Sequence, residues 1–411
     1  MSVKESTQKS ALLASQARIT PAEYIQNYIK RVSSGDLGSI PIILGLLLIA
    51  VIFQWQNENF LTARNFVNLI VQMAGITTIA YGVVFVLLLG EIDLSIGYVS
   101  AVAAVTMTLL LREPSGWPWY AAMGLALLAV AGIGLFQGLI VTRFQVPSFV
   151  VTLAGLLAWN GVVLIMIGGA GTVIIQDKVI IGIANYFLPA VWGWIIAVAA
   201  VGGFAVVQVR HVLNRQRHNL PVTPMVIVIA QIVGLAVLSG IVVYVANQDR
   251  GVPFVGVILL VFLAGLSFLA TRTPFGRYVY AVGGNKEAAR RAGIPVERIR
   301  VIVFMISSVM AGFGGIILAS RLRSVDTAAG GGNLLLNSIA AAVIGGTSLF
   351  GGSGRVSSAV LGALVIASVE NGMGLLGLSS GVKFVVTGLV LLIAVLVDAL
   401  SRQSRSQSGL A

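Results

Sequence analysis

Twelve apolar stretches divide this chain, and stretches of that kind have few ways to fold. They cover residues 40–56, 66–89, 94–111, 119–142, 148–169, 187–208, 224–246, 253–271, 301–320, 335–350, 356–372 and 383–400. In lipid, every backbone amide and carbonyl must be satisfied within the protein, which leaves a helix as the solution for an apolar run of about 20 residues. Composition agrees: 57% of the 411 residues are hydrophobic and 10% are charged, against about 25% charged in an ordinary soluble domain. The expected fold is an all-α integral membrane protein, a polytopic helical bundle of about 10–12 transmembrane segments. The shortest stretch, 335–350, is the one expected to re-enter the membrane instead of crossing it.

The charges give the orientation. Lysine and arginine outnumber acids 26 to 14, for a net charge of +12. A nucleic-acid binder has a similar balance, but with its charges gathered on one face. Here they lie between apolar runs, as the positive-inside rule places them, so the expected surroundings are a lipid bilayer and no nucleic acid. Lys4, Lys9, Arg18, Lys30 and Arg31 precede the first run and put the N-terminus in the cytoplasm. Alternation then brings the two most basic loops, 209–223 and 272–300, to the same side, with Arg402 and Arg405. Arg321 and Arg323 fall outside, against the rule.

Three regions follow: a cytoplasmic tail over 1–39, a transmembrane domain over 40–400 containing the basic loop 272–300, and a cytoplasmic tail over 401–411. The polar first region predicts no cleavable signal peptide. Within it, Thr20-Pro21-Ala22-Glu23 forms a capping box that opens an amphipathic helix over 21–32. That helix either lies on the membrane surface or packs on the protein.

The loop 272–300 contains one short element with both ends written into the sequence. Gly283 and Gly284 precede Asn285, a good N-cap. Glu287 stands in the first turn and Arg290 and Arg291 in the last, as the helix dipole favours. Gly293 supplies the position after the C-cap and Pro295 stops the helix. The spacing predicts a helix over 286–292, from Lys286 to Ala292. Ala288, Ala289 and Ala292 keep one side of it small, which suits a docking surface better than a linker.

These residues carry a resemblance. Glu287-Ala288-Ala289, followed after three residues by Gly293, resembles the coupling loop with which ABC-transporter permeases seat on their ATPase subunits. The strings 271–285, Gly90-Glu91-Ile92-Asp93-Leu94-Ser95-Ile96-Gly97 and 343–352 are similar to the bacterial monosaccharide ABC permeases of the ribose, galactose and xylose group. The stretch between about 185 and 249 resembles the xylose-type members. The resemblance implies a multi-pass protein of the bacterial cytoplasmic membrane, built with internal repeats and broken helices. It implies an ATPase subunit as partner, an extracytoplasmic sugar-binding protein, and a second permease subunit, expected as a homodimer.

The absences fit. No G-x-x-x-x-G-K-[ST] string occurs, so no P-loop is present and ATP would be hydrolysed by a separate subunit, leaving this one non-catalytic. There is no cysteine, and the two histidines, His211 and His218, read as solvated side chains in one basic loop. No cofactor and no metal are expected.

A sugar path needs amides and carboxylates for hydroxyls and aromatic faces for the ring. Gln72, Trp159, Asn160, Glu370 and Asn371 fall at span depth, with Asn333 and Asn337 at the expected outer mouth. Each has the alternative reading of a helix–helix hydrogen bond. Glu91 and Asp93 interrupt two apolar helices. Either they line the inner mouth, or Asp93 caps the next helix while Glu91 meets water. The block 345–352 repeats the spacing G-x-x-x-L-x-x-G of block 90–97, as paired broken segments of transporters do. Ser307, Ala311, Gly315 and Ala319 form a small-residue ribbon for helix packing, and Gly134 and Gly138 a shorter one. The rival reading is a proton-coupled secondary transporter of a small polar solute, relaying protons through Glu91, Asp93 and Glu370. It leaves the capped helix without a task.

Overall fold

The computed structural model describes residues 40–390 except Asn219 and Pro221, together with Ala22, Glu23, Gln26, Gly38, Leu392 and Leu396. Of the helix expected over 21–32 only Ala22, Glu23 and Gln26 are described, each helical, and the tail 401–411 falls outside the described residues. Each of the twelve apolar stretches contains a helix. In chain order the helices are α1 (Ile40–Gln56), α2 (Ala63–Leu88), α3 (Ile96–Leu111), α4 (Trp119–Arg143), α5 (Ser148–Ile167), α6 (Lys178–Asn185), α7 (Ala190–Arg217) and α8 (Met225–Asn247). They continue with α9 (Phe254–Arg272), α10 (Pro274–Gly284), α11 (Lys286–Arg291), α12 (Val296–Leu322), α13 (Leu334–Ile344), α14 (Ser358–Leu375) and α15 (Ser380–Val390). One short antiparallel pair, β1 (Thr172–Ile174) and β2 (Ser324–Asp326), has Val173 opposite Val325. The protein is an all-α polytopic membrane protein.

Among the described residues, eight helices are long and apolar enough to cross a membrane, and α1, α3, α13 and α15 are shorter. The 11 residues of α13 reach only about 16 Å at 1.5 Å per residue, roughly half the hydrocarbon thickness. Gly345 and Gly346 (φ +100°) turn the chain off that helix, so the apolar stretch 335–350 is half helix and half loop.

The described chain divides into two compact units. One is Leu188–Val252, essentially the α7–α8 hairpin, in which Gly193 lets Val243 and Val252 approach the α7 backbone. The other comprises Ser39–Phe187 and Pro253–Ala399. Its centre is α12, which packs against α2, α3 and α4.

Small residues make that packing close. A Cβ on Gly315 would stand 2.0 Å from the Ser100 carbonyl oxygen of α3, and one on Gly314 2.4 Å from Ile79 of α2. On α4, a Cβ at Gly134 would meet the Phe304 carbonyl oxygen at 2.6 Å, and one at Gly138 the Val301 Cα at 2.9 Å. The ribbon Ser307, Ala311, Gly315 and Ala319 is buried throughout, and the second ribbon packs on the same helix. Lipid supplies no hydrophobic drive between helices, so backbone proximity and dispersion must hold them together.

Candidate functional site: the capped helix and its seat

The short helix is built as its residues direct. The Asn285 side chain accepts the Ala288 amide at 2.9 Å, satisfying one of the orphan donors of the first turn. At the other end the Gly293 amide donates to the Arg290 carbonyl and the Ile294 amide to the Ala289 carbonyl. With Gly293 at φ +81°, this is a Schellman closure. Ala292 is the C-cap and no longer helical. The alanines divide: Ala289 is 4% exposed, turned into the protein, whereas Ala288 and Ala292 are exposed. The free small face is therefore Ala288 and Ala292.

Glycines lock this loop to the bundle. A Cβ on Gly283 would lie 1.7 Å from the Leu88 carbonyl oxygen at the end of α2. The Gly352 amide donates to that same oxygen at 2.9 Å. A Cβ on Gly351 would meet the Gly283 oxygen at 2.7 Å and the Gly90 nitrogen at 2.9 Å. Gly90, Gly351 and Gly352 all take positive φ, open to glycine with little strain. The three blocks 90–97, 283–294 and 345–352, far apart in sequence, thus touch through bare backbone.

An ion pair completes the junction. An Arg300 guanidinium nitrogen stands 2.5 Å from Glu91 Oε1, both side chains mostly buried, and Arg300 Nε has no hydrogen-bond partner among the described residues. Beside the pair, a cleft of about 460 Å³ is lined by Glu91, Gln145, Lys286, Glu287, Arg290 and Arg300, among others. Arg290 bridges Glu287 at 2.8 Å and Glu297 at 2.9 Å, and these carboxylates raise its pKa further. Burial first, and then the Arg300 charge, pushes the Lys286 ammonium below the ordinary lysine value.

Asp93 is occupied locally. It accepts the Ser95 amide at 3.0 Å and the Ser95 hydroxyl at 2.7 Å, just ahead of α3. Ser95 Oγ also contacts the Gln137 amide group. Gly155 leaves a notch there, with Gln137 Nε2 2.3 Å and Trp159 Nε1 3.2 Å from where a Cβ would sit. Trp159 Nε1 is buried without a partner among the described residues, and Asn160 follows half-buried on α5.

Another polar group forms on the first half of α2. Asn371 exchanges hydrogen bonds with Asn65 at 2.8 and 3.0 Å and donates to Gln72 Oε1 at 3.1 Å. Asn337 Nδ2 donates to Glu370 Oε1 at 2.6 Å, and Asn337 Oδ1 is buried with no partner among the described residues. Asn333 occupies the N-cap position of α13 without a side-chain cap bond. Gln72 lies sixteen residues before Leu88 on α2, roughly 24 Å at 1.5 Å per residue. Asn65, Gln72 and Asn371 thus form one group on the first half of α2, while Leu335, two residues from both Asn333 and Asn337, packs on Gly97 next to the Asp93 segment.

Sequence reasoning passed over Arg300, Asn65 and Gln137. A signal for Arg300 was present: it falls on the apolar stripe Val296, Ile299, Val303, Ser307, where a lone cation needs a buried partner. Asn65 and Gln137 carried no such mark.

The described family "branched-chain amino acid transport system / permease component" matches residues 65–395. The xylose transport system permease protein XylH of Escherichia coli K12 is 39% identical over 369 residues, covering 88% of this chain and 91% of that protein. The XylH of Haemophilus influenzae is 34% identical over 373 residues, 89% and 98% of the two chains. The ribose import permease protein RbsC of Bacillus subtilis is 30% identical over 377 residues, 92% and 98%. No solved structure matches the chain. With this match spanning α2 to the end of the described bundle, the chain belongs to the ABC-importer permease family, among its monosaccharide-type members.

Proposed function

We propose that this chain is the membrane-spanning subunit of an ATP-driven importer that moves a pentose, with D-xylose the first candidate, by alternating access. The carrying observation is the junction of the capped helix with the bundle. Through Gly283 and Leu88 it touches α2, and through the Arg290–Glu297 ion pair it touches the base of α12. A push on Lys286–Arg291 would therefore reach the two helices at the centre of the bundle without passing through a soft linker. The helix faces the cytoplasm, and an ATPase subunit seats on its Ala288 and Ala292 side. Two copies of this chain assemble with two ATPases, and a sugar-binding protein docks on the opposite face. Asn337, Glu370, Asn371 and Gln72 contact the sugar near that face, while Trp159, Asn160, Asp93 and Asn333 lie further along or beside its path. The pentose reading rests on similarity to the xylose and ribose permeases named above.

A proton relay finds no support in these distances. Glu91 is held by Arg300, and Glu370 accepts from Asn337. The test is uptake of labelled xylose, ribose and galactose into vesicles holding the permease, its ATPase and its binding protein. Uptake should require ATP and favour xylose. Uptake driven by a proton gradient without the ATPase would overturn the proposal.

A further inference from the structure

Where α9 ends and the loop into α14 passes beneath it, the surface forms a second pocket of about 620 Å³. Its polar lining is Ser267, Thr271, Arg277, Tyr280, Arg355 and Ser357, and no acid is among the lining residues. Neither Arg277 nor Arg355 has an ion pair among the described residues. Tyr280 is already engaged, donating its hydroxyl to the Gly354 carbonyl at 2.8 Å. Burial raises that phenol's pKa while the nearby Arg355 charge opposes the shift, so the Tyr280 proton stays and the phenol brings no negative charge. The pocket therefore holds two uncompensated guanidinium groups with serine hydroxyls beside them. An anion with several oxygens fits that set.

The location narrows the anion. Ser267 and Thr271 belong to the last turns of α9, an apolar helix of 19 residues that ends at Arg272. Val261 and Phe268, seven residues apart and so on one face, are 63% and 62% exposed. An apolar stripe suited to acyl chains thus runs to the rim of a cationic pocket at the level where a span meets water. Basic pockets between spans are where anionic headgroups bind. We propose that this pocket binds the phosphate of an anionic phospholipid, with its acyl chains along Val261 and Phe268. Arg277 and Arg355 clamp the phosphate oxygens, and the Ser267 and Ser357 hydroxyls complete the donor set. The site is independent of which solute the protein carries.

The test uses the full-length permease, purified in a neutral detergent and mixed with dioleoylphosphatidylglycerol or dioleoylphosphatidylcholine, with retained lipid counted by native mass spectrometry. The wild type should retain phosphatidylglycerol in preference to phosphatidylcholine. Each arginine near a headgroup contributes about fivefold, so Arg277→Gln with Arg355→Gln should lower phosphatidylglycerol retention by about 25-fold and leave phosphatidylcholine unchanged. The paired lysine variant should keep most of the preference, and it carries the comparison if the glutamine variant elutes as an aggregate. Equal phosphatidylglycerol retention by all three proteins overturns the proposal. So does displacement of the lipid by millimolar inorganic phosphate, which would mark a site for the free ion. Unchanged lipid retention with lost co-purification of the ATPase would assign the pocket to a protein partner and also overturn it.

Discussion

Glu91→Gln is the substitution that most sharply probes how the segment 90–95, which underlies the capped loop, is joined to the base of α12. Glutamine keeps the shape of the side chain and removes its charge, leaving Arg300 as a buried cation. The Arg300 side chain is 8% exposed and that of Glu91 13%, so solvent gives the guanidinium little relief. Breaking one side of a buried pair costs about 3–5 kcal/mol. The cleft beside the pair admits water to one edge, which puts the expected loss near the lower bound, about 3 kcal/mol. At about 1.4 kcal/mol per tenfold, the population in which 90–95 separates from the base of α12 rises by roughly two orders of magnitude. Hydrogen exchange in a membrane-mimetic disc reads this directly: amides of 90–95 and 296–303 should lose protection while those of α4 and α14 keep theirs. The double variant Glu91→Leu with Arg300→Met removes both charges and should regain most of the protection, because an apolar pair of similar volume fills the same space. Unchanged exchange in Glu91→Gln would refute the claim that this pair holds the junction. A double variant worse than the sum of the singles would refute the claim that charge, and not shape, is what the junction needs.

Five further outcomes follow from the same structure. Ala288→Glu, on the exposed side of Lys286–Arg291, should leave insertion intact and abolish co-purification of the ATPase, and wild-type pull-down would remove the helix from the docking surface. Gly293→Val places a β-branched residue at φ +81°, a cost of about 1–2 kcal/mol that should misdirect the chain after the helix and lower ATP-dependent uptake without loss of expression. Gly283→Ala, whose Cβ would stand 1.7 Å from the Leu88 carbonyl oxygen, should lower the thermal midpoint in detergent by several degrees, and a midpoint equal to wild type would show that the loop yields freely. Glu370→Gln should keep ATPase docking and reduce sugar uptake, whereas wild-type uptake would leave Glu370 with a packing role. For orientation, single cysteines at Asn214 and Lys286 should react with an impermeant maleimide only from the cytoplasmic side and one at Asn247 only from outside; reaction of Lys286→Cys from outside would invert the scheme.

Much of the architecture was legible before any coordinates. Apolar runs bounded by charged or glycine-rich loops specify helices because lipid offers the backbone no other partner, and each of the twelve runs contains one. The capped helix was legible for the same kind of reason. Asn285, Gly293 and Pro295 act on neighbours within one turn, so their effect is local and its endpoint moved by one residue only, with Ala292 becoming the cap. The ribbon on α12 was readable from its spacing of four.

What the chain could not reveal in one dimension is which distant pieces meet. Ala289 looks like its neighbour Ala288, yet one is buried and the other free, because the direction in which a six-residue helix faces is set by the surface beneath it. Glu91 reads as a carboxylate beside the membrane, and only the arrival of Arg300, over two hundred residues later, makes it half of an ion pair. The same holds for Asn371 with Asn65, and for Gly283 with Leu88 and Gly352. Helix formation is a contest among near neighbours, which sequence spacing records. Pairing of buried charges, amides and bare backbone depends on how α2, α12 and α14 cross, and that geometry is fixed by the packing of the whole bundle.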